Sequence, residues 1–321
     1  MNRTKLYSGI AAAMLGLSVQ AANAEGLAQA VLDVTDVYFY KAGTMTALKA
    51  GTAAQGADIS LGNTEDLTDA QATLNGTTVS DNASVTPPSP LDLASQCVGD
   101  CGAFGENDWT EHNAVTTTVA RSDTLLTGTP IDYTLVGGPA ADGADAHSVD
   151  EVQIQGAGDG TTQSNLKLVS EFQFIALDNF AVDIAFNWNA YAVAYLSAEN
   201  VDFNGALPPN PVATASIAWN ISLSQQTGTI GGLPAFSQIY SCLPGGLNVG
   251  VSTLTPGADQ YDQSGSETCT TPTLKANSNY KFTISHTTFT DLTTVPTPAT
   301  LALLGLGLVG VARTQRKRMR A

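Results

Sequence analysis

Basic residues are scarce in this 321-residue chain: 13 Lys and Arg stand against 29 Asp and Glu, and seven of the 13 sit at its two extremities. Between residues 25 and 294 only Lys41, Lys49, Arg121, Lys167, Lys275 and Lys281 remain against all 29 acids, a formal charge of −23. Such a surface repels phosphate backbones, which excludes nucleic acid as a partner, and it keeps the body soluble and attractive to cations. Histidine is nearly absent. His112, His147 and His286 show no metal-ligand spacing and no HExxH, and His286 shares a strand face with Tyr280, Phe282 and Ile284, as a core histidine would. There is no G-x-S-x-G elbow to hold a nucleophilic serine, and GAGDG at 156–160 lacks the strand-to-helix setting of a phosphate loop. Adjacent carboxylates such as Glu65/Asp66 and Asp150/Glu151 carry little information among so many acids, because a glycosidase pair must meet in space. The expectation is a body with no catalytic residue.

Calcium is the one cofactor such a body invites. Asp142, Asp145, Asp150 and Glu151 fall in a glycine-rich stretch read as a loop over 137–150, and Asp100, Glu106 and Asp108 fall in another. Neither matches the EF-hand or the calcium-binding nonapeptide pattern, so solvated loops are the preferred reading and no metal ligand is assigned. Four cysteines remain, an even number. They read as two disulfides, Cys97–Cys101 and Cys242–Cys269, out of three possible connectivities.

What is present is β texture. From Phe180 to Leu196 every even position is apolar, while Asp183, Asn187, Asn189, Tyr191 and Tyr195 take the other face. The run exceeds a usual strand, which predicts a bend or bulge near Asn189. Val212 to Leu223 alternates in the same way on odd positions. Leu166 to Ala176 predicts a strand turning at Leu177–Asn179 into a hairpin, and Tyr280, Phe282 and Ile284 begin the last strand. Ala30–Tyr40, Thr116–Arg121 and Ile131–Val136 read as further strands, Asp58–Val79 as short extended pieces, and Thr86–Pro90 as an exposed loop. The fold class expected is mainly β, an antiparallel jelly-roll-like sandwich, with a short C-terminal hydrophobic helix and an N-terminal signal helix.

The two ends organise the rest. Arg3 and Lys5, the apolar run 10–19 and Ala22-Asn23-Ala24 form the three regions of a secretory signal, with cleavage expected after Ala24. At the other end stand Val295-Pro296-Thr297-Pro298, then a run containing Leu301, Leu303, Leu304, Leu306, Leu308, Val309 and Val311, and finally Arg313, Arg316, Lys317, Arg318 and Arg320. Twelve residues from Leu301 to Ala312 fall short of the ~20 that span a bilayer. Gly305, Gly307 and Gly310 weaken the helix further, and the basic cluster favours a cytoplasmic C-terminus. The segment suits a temporary anchor. Three regions follow: a signal peptide over 1–24, an exported β body over 25–294, and a sorting and anchor segment over 295–321.

This order of motif, Leu/Gly-rich run and Arg cluster resembles the PEP-CTERM sorting signal of exosortase substrates, with Thr297 where glutamate is usual. The texture of 92–108 and 274–288 is similar to that of other PEP-CTERM proteins, whose biochemical role is uncharacterised. The resemblance implies export, signal peptidase and exosortase as transient partners, a passing inner-membrane anchor, and release to the cell surface or an extracellular matrix. The leading expectation is a structural or interaction protein of biofilm, floc or exopolysaccharide, whose Ser and Thr would permit O-linked glycans. The alternative is a carbohydrate-binding sandwich using Tyr191 and Tyr195 as a stacking platform, and the third is a polysaccharide hydrolase.

Overall fold

The computed structural model describes residues 24–166, 172–200 and 210–295. Its strands, in chain order, are β1 (Glu25–Lys41), β2 (Ile59–Leu61), β3 (Asp66–Leu74), β4 (Thr77–Val85), β5 (Leu91–Gly99), β6 (Val119–Thr129), β7 (Gly143–Gln155), β8 (Gly158–Leu166), β9 (Phe172–Ala176), β10 (Val182–Leu196), β11 (Val212–Ile230), β12 (Leu233–Cys242), β13 (Asn248–Thr253), β14 (Gly257–Thr270) and β15 (Asn279–Thr294). The mainly β expectation holds, and every strand pairing is antiparallel. The expected terminal helices fall on residues 1–23 and 296–321, outside the described residues.

One sheet runs β14-β10-β1-β7-β6-β5. The other runs β12-β11-β15-β8-β3-β4, with β13 on β11, β9 on β15 and β2 on β9. The even residues of β10 and the odd residues of β11 from Ala213 to Leu223 are buried, as the alternation predicts. They meet across the core, Phe186 lying 5.7 Å from Trp219, and Phe39 of β1 lies 5.0 Å from Phe282 of β15, ring centre to ring centre. The Trp188 ring occupies the space where a side chain at Gly246 or Gly265 would stand. The Cys242–Cys269 disulfide (Cα–Cα 6.1 Å) fastens the end of β12 in one sheet to β14 in the other, while Cys97–Cys101 closes a short turn after β5.

Four expectations are corrected. The bulge lies in β1, between Thr35 and Tyr38, whereas the register of β10 with β14 is unbroken past Asn189. Leu177–Asn179 does not turn a hairpin, because β9 belongs to one sheet and β10 to the other. Ile131–Val136 is not a strand: Ile131 and Tyr133 are buried and Thr134–Val136 forms one 3-10 turn. The expected loop over 137–150 becomes β7 from Gly143 onward, an interior strand buried on both faces. Its polar residues are matched by partners on either side, which erases the alternation a one-faced strand would show.

Candidate functional site

Both ends of the described body meet at one place. Glu25 opens β1 and Thr294 closes β15. Beyond β10, Asn200 is 1 % exposed and links the two ends with a single side chain. Its Nδ2 donates to the Glu25 carbonyl at 2.8 Å, and its Oδ1 accepts from the Val295 amide at 3.0 Å. Ser197 reinforces the junction: its amide donates to the Glu25 carbonyl and its hydroxyl accepts from the Glu25 nitrogen at 2.8 Å. Thr294 adds a hydrogen bond to the Gly156 carbonyl at 2.6 Å, and Gly156 donates to the Ala24 carbonyl at the same distance. An asparagine suits this role because its amide offers a donor and an acceptor at once. The sequence gives no sign of it, since Asn200 follows an ordinary strand end.

Of the predicted sorting residues only Val295 is described. Pro296, Thr297 and Pro298, the apolar run from Leu301 and the basic residues from Arg313 lie outside the described residues, as does Ala22. Ala24 is described and fully buried. Among the described residues no helix is long and apolar enough to cross a membrane. Residues 294–317 match the model of the PEP-CTERM protein-sorting motif, and the match runs through Thr297. The chain carries that motif. A PEP-CTERM protein is exported, anchored transiently in a membrane and processed by an exosortase. No curated protein and no solved structure matches the chain.

A second constellation lies on the outer face of the first sheet, beneath the segment 100–118. Arg121 of β6 and Glu151 of β7 are cross-strand partners, 1 % and 0 % exposed, joined from Nε to Oε2 at 2.8 Å. His112 comes down from the covering segment, and its Nδ1 stands 2.9 Å from Glu151 Oε1. A carboxylate only accepts, so this ring nitrogen carries the proton, and the nearby Gln29 amide donates instead to the Thr110 carbonyl at 2.8 Å. The hydrogen bond from His112 and the Arg121 charge outweigh burial and hold Glu151 below the usual carboxylate range; the bond to Glu151 raises His112. Arg121 also donates to the Asp108 carbonyl, and its guanidinium lies 4.3 Å from the Phe104 ring centre. Trp109 stacks on His147, which bonds Asp33 at 2.9 Å.

This cover corrects three expectations. Tyr191 is 2 % exposed, and its hydroxyl donates to the His112 carbonyl at 2.7 Å. Tyr191 packs with Leu27, Val31, Val149 and Val193 beneath Trp109 and Val115, with Tyr195 beside them, so the pair offers no open sugar platform. His147 stands in β7 rather than in a loop. Asp150 and Glu151 are fully buried on opposite faces of β7 rather than solvated, while Asp142 accepts from the Thr129 amide and Asp145 from the Asp36 amide, each at 2.8–2.9 Å. In the second acidic stretch Asp100 and Glu106 stay exposed, as a solvated loop requires, and accept from the Thr117 hydroxyl and the Ser95 amide. Among the described residues no three His, Cys, Asp or Glu side chains converge to hold a metal ion.

Between the sheets runs a third polar group. His286 is fully buried, bonds the Ser148 hydroxyl at 2.6 Å and meets the Trp219 ring edge-on, as expected of a core histidine. Burial pushes its pKa down to about 3. Asp150 accepts from Thr288 at 2.6 Å and from the Ser164 amide at 2.7 Å, yet burial lifts its carboxyl to about 6. A serine beside a histidine suggests acyl transfer only where substrate can reach it. Here Ser148, His286, Asp150 and Thr288 all have 0 % exposure.

Proposed function

We infer that this is a non-enzymatic protein of the cell surface or extracellular matrix, with a structural or interaction role in biofilm, floc or exopolysaccharide. The observation that carries the reading is the Asn200 junction: the sorting segment departs from the same pole as the first residue of the exported body. A body held at that pole projects its whole length away from the membrane, and cutting the sorting segment leaves both sheets intact.

Several features agree. The charge of −23 suits a hydrated polymer environment. Arg121, Glu151 and His112 are one another's partners, while His286 and Asp150 are bonded by Ser148, Thr288 and the Ser164 amide, so these polar groups face the fold rather than a ligand. Calcium, if taken up, would be held diffusely by the acidic surface. The two sheets meeting over one core support the finer sandwich reading. Ala24 and Glu25 are bonded into the fold, so signal peptidase acts before β1 docks.

C-terminal mass spectrometry of the exported protein, in cells with and without the sorting protease, tests this. The expected product ends within 295–298 and is found outside the membrane fraction. An intact tail on membrane-held protein in protease-competent cells would sink the reading. Intact mass would separately reveal glycan on Ser and Thr.

A further inference from the structure

The hairpin of β11 and β12 contradicts the character of the rest of the surface. From Val212 to Ala258 there is no charged residue, in a body carrying −23. Five of the eight exposed large apolar side chains of the described residues fall within this stretch, among them Ile230 at 77 %, Leu233 at 72 %, Leu243 at 62 % and Ile239 at 41 % exposure. Ile230 and Leu233 flank a Gly231-Gly232 turn with both φ angles positive, the residues a tight hairpin demands. β12 is the outermost strand of its sheet and pairs only with β11 among the described residues, leaving its other edge of N–H and C=O groups unpaired.

Natural edge strands are guarded by lysine, inward charges or shortness. Proline and bulges guard edges too, and β12 has Pro234 beside its turn and register shifts against β11 near Gln226 and Ile239; yet it runs ten residues without a charge, and Leu233 and Ile239 are exposed along it beside Ser237, Gln238 and Ser241. We propose that β12 is a homodimerisation edge, at which a second copy of this chain adds its own β12 antiparallel across a two-fold axis. Three observations select a second copy over another partner. An antiparallel strand edge is its own hydrogen-bonding complement under a two-fold. A basic partner would be drawn to the acidic remainder and would find no carboxylate on this strand, while an acidic partner would be repelled on approach. Two bodies of −23 repel least where neither presents a carboxylate, as along this hairpin, against which the Lys281 ammonium stands 5.4 Å from the centre of the Phe236 ring. The Cys242–Cys269 disulfide fixes the base of β12, so less ordering is lost on pairing. The inference stands apart from the sorting reading and does not depend on where the protein finally resides.

Sedimentation equilibrium of the exported protein, from about 1 to about 100 µM at low and at high salt, tests it. A monomer–dimer equilibrium is expected, with dimer increasing as salt screens the repulsion between the acidic bodies. The double variant Leu233→Asp/Ile239→Asp places carboxylates on both sides of the contact and is expected to weaken the dimer at least about tenfold with an unchanged circular dichroism spectrum. Should that variant misfold, amide exchange on the wild type decides: the 233–242 amides slow with concentration if β12 pairs with its copy. Wild type that stays monomeric throughout, a folded variant that dimerises undiminished, or amides insensitive to concentration would overturn the proposal.

Discussion

Asn200 accepts the Val295 amide at 3.0 Å with its side-chain oxygen while its nitrogen holds the Glu25 carbonyl at 2.8 Å. One buried amide thereby joins the first strand to Val295, the sorting residue that lies within the described body. The junction is local, yet it decides where both processing events act relative to the fold.

Replacing Asn200 with alanine leaves the Glu25 carbonyl with the Ser197 amide alone and takes the partner from the part-buried Val295 amide, a loss of about 1–3 kcal/mol. Thermal unfolding of Asn200→Ala is expected to shift down by several degrees. Amide exchange at Val295 should accelerate more than at Phe282, near the far end of the strand that Val295 follows. Equal acceleration along β15 would mean that Asn200 supports the sheet as a whole rather than its end.

β10 and β11 were legible because one face of each is buried in the core: Ile184, Phe186 and Trp188, or Ile217, Trp219 and Ile221, recur at period two. β7 was not, because Asp150, Glu151 and Gln153 are buried and matched by partners that the sequence places far away. The covered outer face left one signal. Residues 191, 193 and 195 are Tyr, Val and Tyr, too apolar for a face left to water, and Trp109 and Val115 lie in the segment that covers them. The Asn200 junction left none, since nothing in local sequence distinguishes that asparagine from others in turns.

The Arg121–Glu151 pair should behave as a buried ion pair, costly to break and cheap to replace. Glu151→Gln strands a buried guanidinium and is expected to cost about 3–5 kcal/mol, while the double variant Arg121→Met/Glu151→Leu should lose less than that single change. Urea unfolding of the single and double variants measures both. A double variant worse than Glu151→Gln would show that the pair's hydrogen bonds to the covering segment outweigh its desolvation.

The covering segment should be held over a defined pH window. His112 binds its proton more tightly in the fold, so its contribution is complete below its ordinary pKa of about 6.5 and fades as pH rises through the raised folded value. Glu151 is shifted down, so its contribution is present above about 4.5 and lost as pH falls below that. Exchange of the 104–116 amides is expected to be slowest, after correction for intrinsic rates, between those limits. In His112→Gln the alkaline loss should vanish while the acid loss persists.

Joining the sheet edges through Cys242 and Cys269 closes a loop of 27 residues, for which chain entropy gives about 3–4 kcal/mol. The Cys242→Ser/Cys269→Ser variant is expected to lose most of that in chemical denaturation. The corresponding change at Cys97 and Cys101, four residues apart, should cost clearly less. Equal losses would place the effect in native packing rather than in the closed loop.

Asp150 should weaken the fold when ionised. Burial raises its carboxyl to about 6, above its unfolded value of about 3.8, so the folded state prefers the proton. The sign follows: below about 4 the group is neutral in both states and costs nothing, and between about 4 and 6 the unfolded chain ionises first and stability declines. Above about 6 the penalty is complete. Asp150→Asn keeps a carbonyl oxygen for Thr288 and the Ser164 amide without the charge, and is expected to gain about 1–3 kcal/mol at pH 8, with the gain disappearing near pH 4. Denaturant titrations of both proteins at the two pH values measure it. A variant less stable than the wild type at pH 8 would mean that the hydrogen bonds from Thr288 and Ser164 to an ionised carboxylate are worth more than its desolvation costs.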